Sequence, residues 1–436
     1  LARRGVWTRA TRSPSGPAPP TALFSACRDW KLVISRAPLR MTFPEPKWPF
    51  PRADALPPYA FVTTDAAKAK VRAEGADLID LGLGNPDHAT PKEILDVFHA
   101  AADVGKNHRY HPGRGLPELR QAFAAWYLRR YSAKFDPDTE ITVTCGATEA
   151  MAATFMALID PGDEVIIFEP FYENYGPDAV LAGAKPVFVP LVAPHWDLDI
   201  ERLAASITPR TRALVLNTPH NPTGKVFSRA EISAIAELAQ RHDFLVITDE
   251  IYEHIVYAGH HHPIACWPGM RDRTVTISGL SKTFSCTGWR LGYVIAPSEL
   301  TGAIRKVHDF LTVGAPAPLQ AAGAVGMAFD ADYYNHMQRA YRQRRDVLMT
   351  ALVQAGFSCT PPDGAYYVLA DFSAIDSGRT DREFAVWLAE TVGVATVPGT
   401  SFYGDPGRGT SAVRFAFCKT FETLGRAAER LETLHR

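Results

Sequence analysis

The chain has 436 residues, 46% of them hydrophobic and 21% charged, with a formal net charge of −1; this suits a globular protein with one large domain and a smaller one beside it. Near-neutral charge excludes the basic footprint of a nucleic-acid partner or an anionic membrane, and no uninterrupted apolar run approaches the roughly 20 residues that span a bilayer. The six cysteines are scattered with no CxxC pair, so neither a zinc framework nor a disulfide scaffold is indicated, and a reducing, cytoplasmic setting fits.

Residues 1–40 differ from everything after them: five arginines fall within the first 28 positions, with several Ser and Pro and no acidic residue before Asp29. Such a stretch reads as a disordered extension, and a start at Met41 with these residues upstream of it is preferred to a transit segment. Residues 41–90 are expected to form an N-terminal arm and part of a small domain. From there the pattern alternates short β runs with helical stretches. "ITVT" (141–144) precedes "TEAMAATFMALI", "DEVIIFEP" precedes "YENYGPDAVLAG", "RALVLN" (212–217) precedes "RAEISAIAELAQRH", and "FLVITDE", "TVTIS" and "GYVIAP" follow. Strands alternating with helices predict βαβ units, hence an α/β domain over 91–315 with a mainly parallel sheet. Beyond Pro316 the long amphipathic "ADYYNHMQRAYRQRRDVLMTALVQAG" and the short "AYYVLADF" and "AVRFAFC" predict a smaller α+β domain over 316–436.

In an open parallel sheet, ligands bind beyond the carboxyl ends of the strands, and several polar residues fall at such ends. "TCGATEA" ends a strand and opens a helix at Ala147 and Thr148, whose free N–H groups suit an anion; an ordinary strand-to-helix turn would look the same. Asn221 lies in the turn "HNPTG", which needs no function to exist. Asp249 follows the apolar run 244–247 and Thr248, as a helix cap or a buried, partnered carboxylate would, and Tyr252 lies three residues on. Lys282 sits in a Ser/Thr/Gly tract between two apolar strands, with Arg290 eight residues later. Most loop lysines are simply solvated, but one held at the edge of a sheet core loses hydration, which lowers its pKa and frees the amine for imine chemistry. A helix start for a phosphate, a buried carboxylate, a phenol, an amide and such a lysine are together the parts that a pyridoxal 5′-phosphate site requires.

The ordered motifs "LGLGNPD", "YHPGRGLPELRQAF", "GATEA", "HNPTGKVF", "TDEIY", "SGLSKTFSCTGWRLGY" and "VRFAF" resemble those of the class I/II aminotransferases, pyridoxal-phosphate enzymes of fold type I, over residues 55–436. The resemblance implies that Lys282 carries the cofactor and moves the proton, and that Arg290 grips the phosphate with the Ala147 and Thr148 amides. It places Asp249 on the ring nitrogen, Tyr252 and Asn221 on the ring hydroxyl, and Tyr172 against the ring face. Ser278 or Ser281 would supply a phosphate hydroxyl, because Gly279 stands where many relatives carry serine. Arg414 would pair with the substrate's α-carboxylate, with Gly84 and Asn221 beside it, and Tyr110 would reach the phosphate of the neighbouring subunit in a homodimer.

The activity so implied is ping-pong transfer of an α-amino group from an amino acid to a 2-oxo acid. Segments around "EPFYENYGPDAVLAG" look like the kynurenine, glutamine and methionine aminotransferases, whereas "LPPYAF" and "APLQAA" look like broad alanine and aspartate transaminases. Val313 and Gly314 stand where the kynurenine branch places an aromatic residue and a histidine, which weakens a preference for aromatic substrates. Tyr172, Tyr366 and Tyr367 would offer the side-chain pocket apolar faces with polar tips. Two other readings share the scaffold: a β-lyase acting on cysteine conjugates, and a non-catalytic sensor, which would need a DNA-binding segment. The run "GHHHP" (259–263) suggests a metal, but adjacent loop histidines do not converge on one ion and no carboxylate or cysteine is spaced to help.

Overall fold

The computed structural model describes residues 50–435. The expected extension over 1–40 lies outside the described residues. Twelve strands follow in chain order: β1 (Ile79–Asp80), β2 (Ile141–Thr144), β3 (Glu164–Glu169), β4 (Lys185–Pro190), β5 (Thr211–Asn217), β6 (Leu245–Asp249), β7 (Thr274–Gly279), β8 (Gly292–Ile295), β9 (Tyr367–Asp371), β10 (Val394–Ala395), β11 (Val397–Pro398) and β12 (Ala412–Ala416). Seven form the central sheet in the order β2-β8-β7-β6-β5-β3-β4. Only β8 runs against its neighbours, so the fold is α/β with a mainly parallel sheet.

The strand sequences explain why this sheet is buried on both sides. Side chains alternate with period two, and in β3 Val165 and Ile167 enter one apolar cluster while Ile166 and Phe168 enter another. The same division separates Ala213 and Val215 from Leu214 and Leu216 in β5. A strand apolar at every position needs cover on both faces. The helix Ala147–Leu158 contributes Ala150, Met151 and Phe155 to the first cluster, and Arg229–His242 contributes Ile232, Ile235 and Leu238 to the second. The latter helix starts sharply because Ser228 and Glu231 form a capping box.

The C-terminal third builds a three-stranded antiparallel sheet, β11-β12-β9, beside the 24-residue helix Ala331–Gln354. Early and late segments meet where β1 pairs in parallel with β10 and the Ala416 amide donates to Leu81 O at 2.6 Å. That pairing brings the "LGLGN" loop alongside Arg414 on β12.

Three strands escaped the sequence pattern. β4 carries Pro186 and Pro190, which argue against a strand, but it is the edge of the sheet, where a missing N–H costs no ladder bond. β1 and β10 are two residues each, too short to display a period.

Candidate active site

At the carboxyl ends of β5, β6 and β7 lies a cavity of about 430 Å³. Its lining includes Gly84, Ala147, Thr148, Tyr172, Asn221, Asp249, Tyr252, Ser281, Lys282, Arg290 and Arg414, eleven residues singled out from sequence and spread over more than 300 positions of chain.

Asp249 ends β6, buried, and its Oδ2 accepts the Tyr175 hydroxyl at 2.7 Å while Oδ1 accepts the Ile251 amide at 3.2 Å. Burial pushes this carboxyl above its ordinary range, and the Tyr175 and Ile251 donors pull it back. Beside it in register, Asn217 ends β5 and donates Nδ2 to Asp249 O at 2.8 Å, while its Oδ1 accepts the Asn221 amide at 2.7 Å. One amide thus ties the Asn221 loop to the strand end that carries Asp249.

Lys282 follows β7 and donates Nζ to Gly84 O at 3.0 Å. Burial brings its ammonium down to about 8 from the usual 10.5, the opposing pull of Asp249 being smaller. A Cβ at Gly84 would stand 1.9 Å from the Tyr367 hydroxyl, so any side chain there would have to displace that ring. That hydroxyl is held at 3.0 Å by the hydroxyl of Tyr252.

The far wall is built for an anion. Gly146 has φ of +88° and opens the helix Ala147–Leu158 with no side-chain cap, leaving first-turn N–H groups directed at the cavity. A Cβ at Gly146 would meet Arg290 Nη2 at 2.6 Å, so glycine lets the guanidinium approach the helix start, where Nη2 donates to Thr148 Oγ1 at 3.3 Å. Opposite, Arg414 donates Nη1 to Asn221 Oδ1 at 2.8 Å and Nη2 to Gly82 O at 3.0 Å, with the Tyr367 ring 4.3 Å from its guanidinium carbon. Its buried Nε has no protein partner. Arg414 itself lines the cavity, where a guanidinium is equipped to take a carboxylate.

Three sequence expectations are corrected. Ser278 does not line the cavity: its hydroxyl lies 3.2 Å from both Glu250 O and Glu253 Oε1, either of which can accept its one proton, leaving Ser281 as the serine of the pair at the wall. Tyr366 also stands behind the wall, its hydroxyl donating to Gly84 O at 3.0 Å. No carboxylate was expected near the histidine run, yet Glu250 Oε2 lies 2.8 Å from His261 Nε2, and Glu253 completes a group whose donor atoms all lie within 4.8 Å. Folding the loop back under β6, which linear spacing does not display, creates this buried network. Gly279 is also explained, since a Cβ there would lie 2.9 Å from Leu291 O. Tyr110 is 91% exposed and lies outside this chain's own cavity.

Sequence reasoning missed Tyr175, Asn217, Tyr59 and Glu173, which share the wall. Asn217 had a usable signal, a polar residue ending an apolar strand as Asp249 does; the others sit in loops or helix starts whose direction only the fold sets.

Sheet, crossover helices and strand-end cavity define a fold type I transferase. The chain matches the family described as aminotransferase class I and II over residues 76–431 and belongs to it. It is 41% identical over 392 residues to the probable N-succinyldiaminopimelate aminotransferase DapC of Mycobacterium tuberculosis, covering 87% of this chain and 97% of that protein. It is 38% identical over 373 residues to the methionine aminotransferase of Escherichia coli, covering 85% and 96%. The solved N-succinyldiaminopimelate aminotransferase from M. tuberculosis superposes with a TM-score of 0.84 at 39% identity, covering 89% of this chain and all of that one. The protein is therefore an enzyme that transfers amino groups between amino acids and 2-oxo acids, and its cofactor is pyridoxal 5′-phosphate. The residues present fit that group: an uncapped helix start and Arg290 suit the phosphate, Asp249 offers a buried carboxylate, and Lys282 offers an amine eased toward neutrality.

Proposed function

We propose that this aminotransferase works by a ping-pong exchange in which Lys282 is the base and that its preferred donors carry medium, uncharged side chains, with methionine, glutamine or alanine ahead of aspartate. Pyridoxal phosphate, when bound, supplies an electron-accepting ring that stabilises the charge left by the departing α-proton. Ala147, Thr148, Ser281 and Arg290 would hold its phosphate, with Tyr172 beside the ring. Asp249, buried and braced by Tyr175, would keep the ring nitrogen protonated, and Asn221 and Tyr252 would hold the ring oxygen. Arg414, with Gly84 and Asn221 beside it, fixes the substrate carboxylate. Lys282 Nζ then takes the proton from the substrate's Cα and returns it.

The observation that carries the substrate reading is the engagement of the cavity's cations. Among the described residues, Lys282, Arg290 and Arg414 line it, and each is bonded at its own end, whereas Tyr59, Tyr172, Tyr367 and Leu83 supply apolar faces. Catalytic efficiencies for methionine, glutamine, alanine, kynurenine, phenylalanine, aspartate and N-succinyldiaminopimelate, compared with one acceptor, test it. A lead for aspartate of more than about a hundredfold, roughly 2.7 kcal/mol in transition-state binding, would overturn the reading. A lead for N-succinyldiaminopimelate would assign the chain the activity in its M. tuberculosis relative's name.

A homodimer with shared sites is part of the proposal, with Tyr110 serving the partner's phosphate. So are the large part over 91–315 and a small part formed by 41–90 and 316–436. Cytoplasmic residence is supported by free cysteines at 145, 266, 286, 359 and 418. Among the described residues no helix is long and apolar enough to cross a membrane.

A further inference from the structure

Glu173 is a carboxylate in the cavity wall that none of the roles above uses. Its Oε2 accepts the Ala60 amide at 3.0 Å, at the start of the 14-residue helix Ala60–Ala73, whose N-cap residue Tyr59 supplies no side-chain cap. Glu173 thus caps that helix and also bonds the Tyr59 phenol. Burial raises this carboxyl above its ordinary range, and the Ala60 amide and the nearby Arg414 pull it back toward the ionised form. Asp249 and Glu173 are the acids at the wall among the described residues, and Asp249 is committed to Tyr175 and the Ile251 amide. Glu173 is therefore the negative group on the side of the cavity shared by Arg414, Tyr59 and Tyr172.

We propose that Glu173 is a specificity residue: its fixed carboxylate rejects substrates whose side chain ends in a carboxylate and admits those ending in an amide or thioether. This rests on the reading above, in which Arg414 holds the α-carboxylate and the side chain extends along the wall of Tyr59, Tyr172 and Glu173. A second carboxylate there meets a like charge in a partly dehydrated cavity with no unengaged cation to offset it, whereas an amide can donate to Glu173. Apolar faces alone would only fail to attract a dicarboxylate; Glu173 penalises it.

The test uses the holoenzyme with glutarate and its monoamide glutaramate as competitive inhibitors, two molecules of equal length that differ only in the distal group. In wild type glutaramate should bind more tightly by at least about tenfold. Glu173→Gln, which keeps an oxygen acceptor for the Ala60 amide, should narrow that gap to less than about threefold and raise the efficiency ratio of aspartate to glutamine correspondingly. Equal or tighter glutarate binding in wild type overturns the inference, and this measurement needs no variant to fold. A gap that Glu173→Gln leaves unchanged also overturns it, while methionine turnover in the same samples keeps the aminotransferase reading standing. Failure of wild type to convert any donor would overturn the substrate reading and this inference with it.

Discussion

At the residue scale the cavity depends on a few groups whose replacement has different signatures. Lys282→Ala removes the proposed base and anchoring amine, and turnover should fall by at least roughly a thousandfold. Borohydride treatment should fix the cofactor to wild type and not to Lys282→Ala; fixation in both would move the anchor elsewhere. Asp249→Ala should retain cofactor yet lose several orders of magnitude in turnover, because no buried carboxylate then holds the ring proton. Full activity in that variant would reject the role. Gly84→Ala should disturb binding before chemistry, since the new Cβ collides with the Tyr367 hydroxyl 1.9 Å away. Its KM for every donor should rise more than its kcat falls; an unchanged KM would show that the Tyr252–Tyr367 pair gives way freely.

At the element scale, the ends of β5, β6 and β7 border the cavity to which the chemistry is assigned, and a buried network beside them sets a pH dependence. Glu253 accepts the Tyr293 hydroxyl at 3.0 Å and the Ser278 hydroxyl at 3.2 Å, and burial together with the charge of Glu250 pushes its carboxyl from 4.5 up to about 7. Between those values the folded chain holds a proton that the unfolded chain releases, so this residue's contribution to stability falls as pH rises through the window. From pH 5 to pH 8, Glu253→Gln should therefore gain about 2–3 kcal/mol relative to wild type, read from urea unfolding midpoints. A difference that does not move with pH would reject the proton on Glu253.

The strand end that holds Asp249 was legible because an apolar run gives way to polar residues, a local signal, whereas Lys282 and Asn221 lie in the loops after β7 and β5 and were legible through their motifs. Tyr175 and Glu173 were not, since the sequence "EPFYENY" does not say which of its polar groups turns inward. Ser278 was misplaced for the same reason: it lies within β7, and alternation sends its hydroxyl to Glu250 and Glu253 rather than to the cavity. His261 shows the limit of spacing arguments, because its partner Glu250 is eleven residues away and reaches it only through the fold of the loop.

At the scale of the whole molecule, one protomer leaves a surface that asks for cover. Tyr110 and Phe310 are 91% and 95% exposed, and Leu311 and Val313 are exposed nearby in sequence. Large side chains left this open suit an interface, and the proposed homodimer would cover them while carrying Tyr110 to the partner's phosphate. A shared site makes a sharper prediction than dimerisation itself. Tyr110→Ala should weaken cofactor binding in its own dimer, and Lys282→Ala should be inactive in its own. In a heterodimer of the two, one cavity combines an intact Lys282 with an intact Tyr110 and the other lacks both. Verified heterodimers should therefore recover up to half the turnover of the wild-type dimer at low cofactor concentration, from two subunits that fail separately. If each site were complete within one chain, every Lys282 in the mixture would belong to a cavity already carrying Tyr110→Ala, and no recovery would appear.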